Sequence, residues 1–172
     1  MSTRSSRPCS AHETSWPGER MGLDDLYQQI ILDHYRNPRH RGHLDDPGMS
    51  VDHQNPLCGD QVHLDVTIRD GRIVELAHAG DGCSISQASA SMMSEAAHGK
   101  SIEDAHRAID NVLALIHGEA PADEDLLGDA VALEGVAKYP ARVRCALLGW
   151  MALRDALPAP SHAEKGAGVG QQ

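Results

Sequence analysis

Phenylalanine is absent from the 172 residues, and two tryptophans and three tyrosines are the only aromatic residues besides histidine. A core made from this chain must be aliphatic, with Met and Ala filling the gaps. No stretch approaches the roughly 20 apolar residues that cross a bilayer. Arg4 and Arg7 are followed by no apolar segment, so a secretory signal is not expected. Positive charge is in short supply as well, with a formal net charge of −10. That balance predicts neither a nucleic acid nor a membrane as partner, since both reward Lys and Arg. It favours solubility and a basic protein partner. A chain without an export signal is expected in the reducing cytoplasm, where cysteines more often bind metals or react than pair as disulfides.

The length suits one domain with loose ends. Residues 1–20 are rich in Ser, Arg and Pro without an apolar period, and they read as a disordered tail. A patterned segment opens at Met21, so the domain is expected over 21–158, and residues 159–172 read as a second floppy end. Leu23, Leu26, Tyr27, Ile30, Ile31 and Tyr35 recur at helical spacing. That helix should stop at Asn37-Pro38, because a residue before proline is pushed out of the helical region. A loop follows to about Ser50, then a short strand near Val51 to Leu57.

Val62, Leu64, Val66 and Ile68 alternate with polar residues, and Asp70-Gly71 supplies a hairpin turn. The returning strand runs from Ile73 to about Ala79, with adjacent Ile73 and Val74 leaving its register open. Beyond Gly80-Asp81-Gly82 the pattern is helical. Ser84 and Gln87 fit a capping box for a helix from Ile85 to His98, whose Ser and Ala residues permit close packing. Ser101 can cap the next helix, ended by Gly118, and Pro140 can open a last one carrying Val143, Leu147, Leu148 and Met151, stopped by Pro158. The order predicts an α+β fold: a small antiparallel sheet of about three strands, preceded by an N-terminal helix, with helices packed on one face.

The cysteines are four, one of them (Cys9) in the N-terminal tail and read as a free thiol. Cys58 sits in the loop Asn55–Asp60 leading into a strand, Cys83 at a strand-to-helix turn, and Cys145 in the early turns of the last helix. A helix N-terminus favours thiolate over thiol. Cys58, Asp60, Cys83 and Cys145 together make the four donors that a tetrahedral zinc site requires. Taken singly, each cysteine reads equally as a small buried hydrophobe, and Asp60 as a turn former. His34, His40, His43 and His53 cluster in sequence without the i, i+4 spacing of a zincin helix, and they read as packed or solvated.

Four stretches read together narrow these alternatives: DLYQQIILDHYRNPRHRGHL, NPLCGDQVHLDV, GDGCSISQASASMM and LEGVAKYPARVRCALLGWMAL. In order and spacing they resemble the SufU family of zinc-dependent sulfur-transfer proteins, related to the IscU iron–sulfur scaffolds, from Leu23 to Leu157. Such proteins usually begin at the place of Met21, which treats residues 1–20 as an appendage. The resemblance implies a zinc site of Cys58, Asp60, Cys83 and Cys145. It implies a PLP-dependent cysteine desulfurase of the SufS type as partner, and iron–sulfur assembly proteins downstream. Cys58 would be the sulfur acceptor, replaced on zinc by a desulfurase histidine during docking, and Arg142 would help organise the interface. An IscU-type scaffold building a [2Fe–2S] cluster is the alternative. Scaffolds of that type resemble a pattern with histidine just before the third cysteine, where this chain has Arg144. The segment GEAPADEDLLGDAVALEGVAKYPA also resembles the insertion specific to SufU. A zinc-stabilised binding module without sulfur chemistry is a third reading, although purely structural sites more often close with Cys and His than with Asp.

Overall fold

A computed structural model describes residues 22–160; the expected tails, with Cys9, lie almost wholly outside this range. Helix α1 spans Leu23–Arg36 and ends at Asn37, whose amide still bonds to the Asp33 carbonyl. Pro38 blocks any continuation, as its sequence position predicts. Of the apolar residues in α1 only Ile31 is buried, while Leu26, Leu32 and Tyr35 stay more than 40 % exposed. The second buried position of the helix is polar, His34.

Three antiparallel strands follow in the order β1 (Met49–Gln54), β2 (Gln61–Arg69) and β3 (Arg72–Ala79). Strand β1 starts and ends earlier than its apolar pattern suggests, because Asn55–Asp60 closes into the β1–β2 loop and pairs Gln54 with Gln61. Asp70 and Gly71 form the two-residue β2–β3 turn, with φ of 51° and 72°. Two successive left-handed residues are what a type I′ turn needs to match the strand twist.

The register of β3 has a physical origin. Thr67 faces Glu75 but Ile68 faces Ile73, so Val74 is an extra residue, a β-bulge. Strict alternation would put Ile73 and Leu76 on opposite faces; with the bulge both are buried, at 0 % and 3 % exposure.

Val62, Leu64 and Val66 of β2 face helices α2 (Ser84–Ala97) and α5 (Pro140–Ala156). The expected α+β architecture is the one observed. Helices α2 and α5 approach closely because their seam is made of small residues. A side chain at Gly149 would bring its Cβ within 3.2 Å of the Ala90 Cα. Ser89 Oγ donates to the Ala146 carbonyl and accepts from Trp150 Nε1, fixing the helices in register where Cys145 enters. In α5 the buried face is Cys145, Ala146, Leu148, Gly149, Trp150, Ala152 and Leu153, while Val143, Leu147 and Met151 are half-buried. Helix α3 (Ile102–Ile116) starts at Ser101, whose Oγ accepts from the Asp104 amide.

Between α3 and α5 lies structure that composition did not announce: a short helix α4 (Glu124–Leu127) and a 3-10 helix over Gly128–Lys138. The 3-10 helix is tied to α1 by Lys138 Nζ to Asp24 at 2.6 Å, Tyr27 Oη to Glu134 at 3.4 Å, and His34 Nε2 to Asp129 at 3.0 Å. No helix among the described residues is long and apolar enough to cross a membrane.

The loop after α1 first pairs with the free edge of β3, where Arg41 bridges His78. The His78 amide donates to the His40 carbonyl, and His78 Nε2 donates to the Arg39 carbonyl. Burial lowers the pKa of both imidazoles below 6.5, with neighbouring cations adding to it: Arg41 and His40 for His78, and stacked His98 for His40. Glu95 opposes this at His40, and the carbonyl bond opposes it at His78. Because the unfolded chain takes up these protons more readily, the stability is present above 6.5 and is lost as pH falls through the lowered values. His40 has φ of 53°, a region that asparagine tolerates. His40→Asn is therefore expected to fold and to flatten the loss of urea midpoint between about pH 7 and 5.5. A loss as steep as in the parent chain would remove His40 from the account.

Candidate metal centre

Three pieces of backbone bring the sulfur-bearing residues together. In the first, Asn55–Asp60, the loop is closed by its own bonds: Asn55 N to Asp60 O and Gly59 N to Asn55 O, both 2.8 Å, and Leu57 N to Asn55 Oδ1 at 3.1 Å. Gly59 has φ of 74°, which lets Cys58 and Asp60 turn toward one point. The second is the Gly80-Asp81-Gly82 turn, held by Gln61 N to Asp81 O at 2.7 Å. The third is the first turn of α5, opened by Pro140.

Cys58 Sγ lies 3.5 Å from Cys145 Sγ, and Cys83 Sγ donates to Asp60 Oδ2 at 3.5 Å. The Cys83 amide donates to Asp60 Oδ1 at 3.2 Å. Ligand atoms of Cys58, Asp60 and Cys145 all lie within 4.8 Å of one another, and Cys83 joins them through Asp60. Zinc–sulfur bonds of about 2.3 Å and zinc–oxygen bonds of about 2.0 Å in a tetrahedron set ligand separations of roughly 3.5–3.8 Å. Cys58, Asp60 and Cys145 have the chemistry and spacing of zinc ligands, while Cys83 stands outside that group and touches it at Asp60.

Burial divides the four. Cys145 is fully buried and Asp60 nearly so, Cys83 is half-buried, and Cys58 is exposed beside Leu57. Burial first, then hydrogen bonds with Cys58 and Asp60, push the Cys145 thiol well above its ordinary pKa. For Asp60 burial works the same way but is outweighed by hydrogen bonds from Cys58, Cys145 and Cys83, and its carboxyl lies below the usual value. Cys145 is thus a buried thiol beside an ionised carboxylate, and a cation held there would displace its proton.

Helix α2 begins differently from the capping box read in the sequence. Its N-cap is Cys83, not Ser84: Cys83 Sγ accepts from the Ser86 amide at 3.5 Å. Gln87 closes the turn instead by donating from Nε2 to the Gly82 carbonyl at 2.8 Å. Gly82 passes so close to Asp60 that a Cβ there would lie 3.0 Å from the carboxyl carbon and overlap Ser86 Oγ. Arg142, one turn before Cys145, is exposed; its pKa is raised by attraction to Cys83 and a hydrogen bond to Cys145. It lines a groove of about 280 Å³ with Tyr27, Leu32, Ile85 and Tyr139.

The histidines divide. His34 is buried between Ser91 Oγ (2.8 Å) and Asp129 (3.0 Å). Glu95, 3.6 Å away, also faces the Arg39 guanidinium, so His34 is a packed side chain within a group of metal-ligating type. His53 pairs with Asp155 at 2.7 Å. His43 gathers with His63 and Asp65 in a further group of metal-ligating type, on another face of the fold. Sequence spacing gave no sign of that group, because its members come from a loop and a strand; the alternation of His63 and Asp65 on β2 was the one available signal.

Residues 26–146 match the family described as NifU-like N-terminal domain. A zinc-dependent sulfurtransferase SufU of Bacillus subtilis is 50 % identical over 132 residues, 76 % of this chain and 88 % of that protein. An iron–sulfur cluster assembly scaffold protein IscU of Streptococcus pyogenes is 39 % identical, covering 83 % and 89 %. Among solved structures, a putative SUF-system scaffold protein from Fervidobacterium islandicum matches with a TM-score of 0.72 and 32 % identity, over 80 % of this chain and all of the other.

Proposed function

The chain belongs to the NifU-like N-terminal domain family, and on that premise we propose that it is a zinc-dependent sulfurtransferase of iron–sulfur cluster assembly. Its donor is the persulfide of a PLP-dependent cysteine desulfurase of the SufS type, and its products go to cluster-assembly proteins. The gradient of exposure across the four donors carries this reading: Cys58 is exposed, and the other three are wholly or partly enclosed. The 50 % identity to a protein named as a zinc-dependent sulfurtransferase supports it.

Cys58, Asp60, Cys83 and Cys145 would hold the ion. Bound zinc keeps a thiolate deprotonated at neutral pH and brings no redox chemistry of its own. Cys58, on the loop, would be the donor free to move, with Asp60, Cys83 and Cys145 as the enclosed ones. Its thiolate attacks the outer sulfur of the partner's persulfide. One sulfur–sulfur bond forms on Cys58, the partner's breaks, and the partner's cysteine departs as thiolate with no net oxidation. Arg142, beside Cys83 and Cys145, sits where it can orient an anionic persulfide at the interface.

The purified protein is expected to be colourless, to carry tightly held zinc, and to raise cysteine turnover by a SufS-type desulfurase. Metal analysis with a sulfide-release assay checks this; zinc-loaded protein that leaves turnover unchanged overturns it. The IscU relative at 39 % identity supports a scaffold as second reading. A brown protein with sulfur-to-iron absorption after anaerobic purification would favour that alternative.

A further inference from the structure

On the face of β2 turned away from the helices, we infer a second metal site, made by His43, His63 and Asp65, that takes a divalent first-row transition ion. It is separate from the sulfur centre and independent of the sulfur-transfer reading. The antiparallel register sets Asp52 opposite His63 and Ser50 opposite Asp65, and the loop after α1 lays His43 over both strands. Ligand atoms of His43, His63 and Asp65 all lie within 4.8 Å of one another. His63 Nε2 is 2.9 Å from Asp65 Oδ1, and His43 Nδ1 is 3.5 Å from Asp65 Oδ2. Metal–ligand bonds of about 2.0–2.1 Å in a tetrahedron set donors roughly 3.3 Å apart; the two distances, to different oxygens of the one carboxylate, lie near that value. The remaining adjustment falls on His43, whose side chain is 63 % exposed and whose ring lies 5.0 Å from that of His63.

The surroundings are those of a supported site. His63 Nδ1 is 2.7 Å from Asp52 Oδ1, the carboxylate–histidine pairing that fixes a metal-binding ring and its tautomer. Asp65, only 3 % exposed at its side chain, accepts from Ser50 Oγ at 2.6 Å and the Leu44 amide at 3.1 Å, so its oxygens are held in place. Both nitrogens of His63 face carboxylates, and a divalent ion bound at Nε2 would release any proton there to solvent. Two imidazoles and one carboxylate leave a coordination position open, and such a set suits zinc, cobalt, nickel or ferrous iron rather than calcium or magnesium.

The test uses the full chain loaded with one equivalent of zinc and titrated with Co(II), read by visible absorption and metal analysis. Expected is one further equivalent of cobalt with ligand-field bands and no thiolate charge-transfer band. His43→Ala, at an exposed position that leaves the fold intact by circular dichroism, should abolish it. Asp52→Asn should weaken it about 10–100-fold. No saturable cobalt, cobalt showing only thiolate charge transfer, or binding undiminished in His43→Ala overturns the site. A failure of zinc to bind the sulfur centre would appear as charge transfer insensitive to His43, so the two readings fail separately.

Discussion

Cys58→Ala is expected to give a folded protein that no longer raises cysteine turnover by a SufS-type desulfurase. The loop that carries Cys58 is closed by backbone bonds and by Asn55, and the Cys58 side chain touches only the centre, at Cys145 Sγ 3.5 Å away. Removing an exposed thiol from such a loop costs within about 0.5 kcal/mol of stability. Asp60, Cys83 and Cys145 remain, and three protein ligands suffice for zinc with an open position. Folding and metal content should therefore be retained while stimulation drops to the background of the desulfurase alone. The assay is sulfide release with matched zinc content in both proteins. Stimulation that survives the substitution would assign sulfur acceptance to another thiol.

Gly82→Ala tests the centre without touching a donor. The added methyl would overlap Ser86 Oγ and come within 3.0 Å of the Asp60 carboxyl carbon. Ser86 can rotate away only by giving up its bond to the Cys83 carbonyl, 3.2 Å long. Asp60 is pressed from the same side and is held by the Cys83 amide. Overpacking of this kind costs about 1–3 kcal/mol, and if the centre absorbs it, zinc affinity falls roughly 10–100-fold. Competition against a chromophoric chelator measures the change. Affinity equal to the parent's would mean that the Gly82–Asp60 contact does not set the donor positions.

Much of the fold was legible because single residues dictate local backbone. Pro38 ends α1, Asp70-Gly71 makes a type I′ turn, and Pro140 opens α5. Where two positions compete, the sequence is silent. Ser84 has the better reputation as a cap, yet Cys83 occupies the N-cap because Asp60 fixes its amide. Adjacent Ile73 and Val74 permit either register, and only the core on one side of the sheet selects the bulge. The apolar stripe of α5 misleads for the opposite reason: that helix is enclosed by α2, β1 and β2 together, so small residues such as Ala146 and Ala152 go deepest. The gathering of Cys58, Asp60 and Cys145 could be anticipated, since a loop glycine and a helix start mark them, and Cys83 meets them only at Asp60. The His43, His63 and Asp65 group could not, because it exists only where the loop after α1 lays His43 against β2.

The ties between α1 and the 3-10 helix carry a kinetic consequence. Lys138 and Asp24 are 114 residues apart in sequence, and Tyr27 and Glu134 are 107 apart. Contacts this distant are rewarded only after a long loop has closed. A 3-10 helix cannot wait in place for them, since its hydrogen-bond geometry is poor and runs beyond three or four residues are uncommon. The β2–β3 hairpin, closed by two residues, can form without waiting for them. The groove beside Arg142, which has Tyr27 and Leu32 of α1 along one wall, is complete only once these distant contacts have closed.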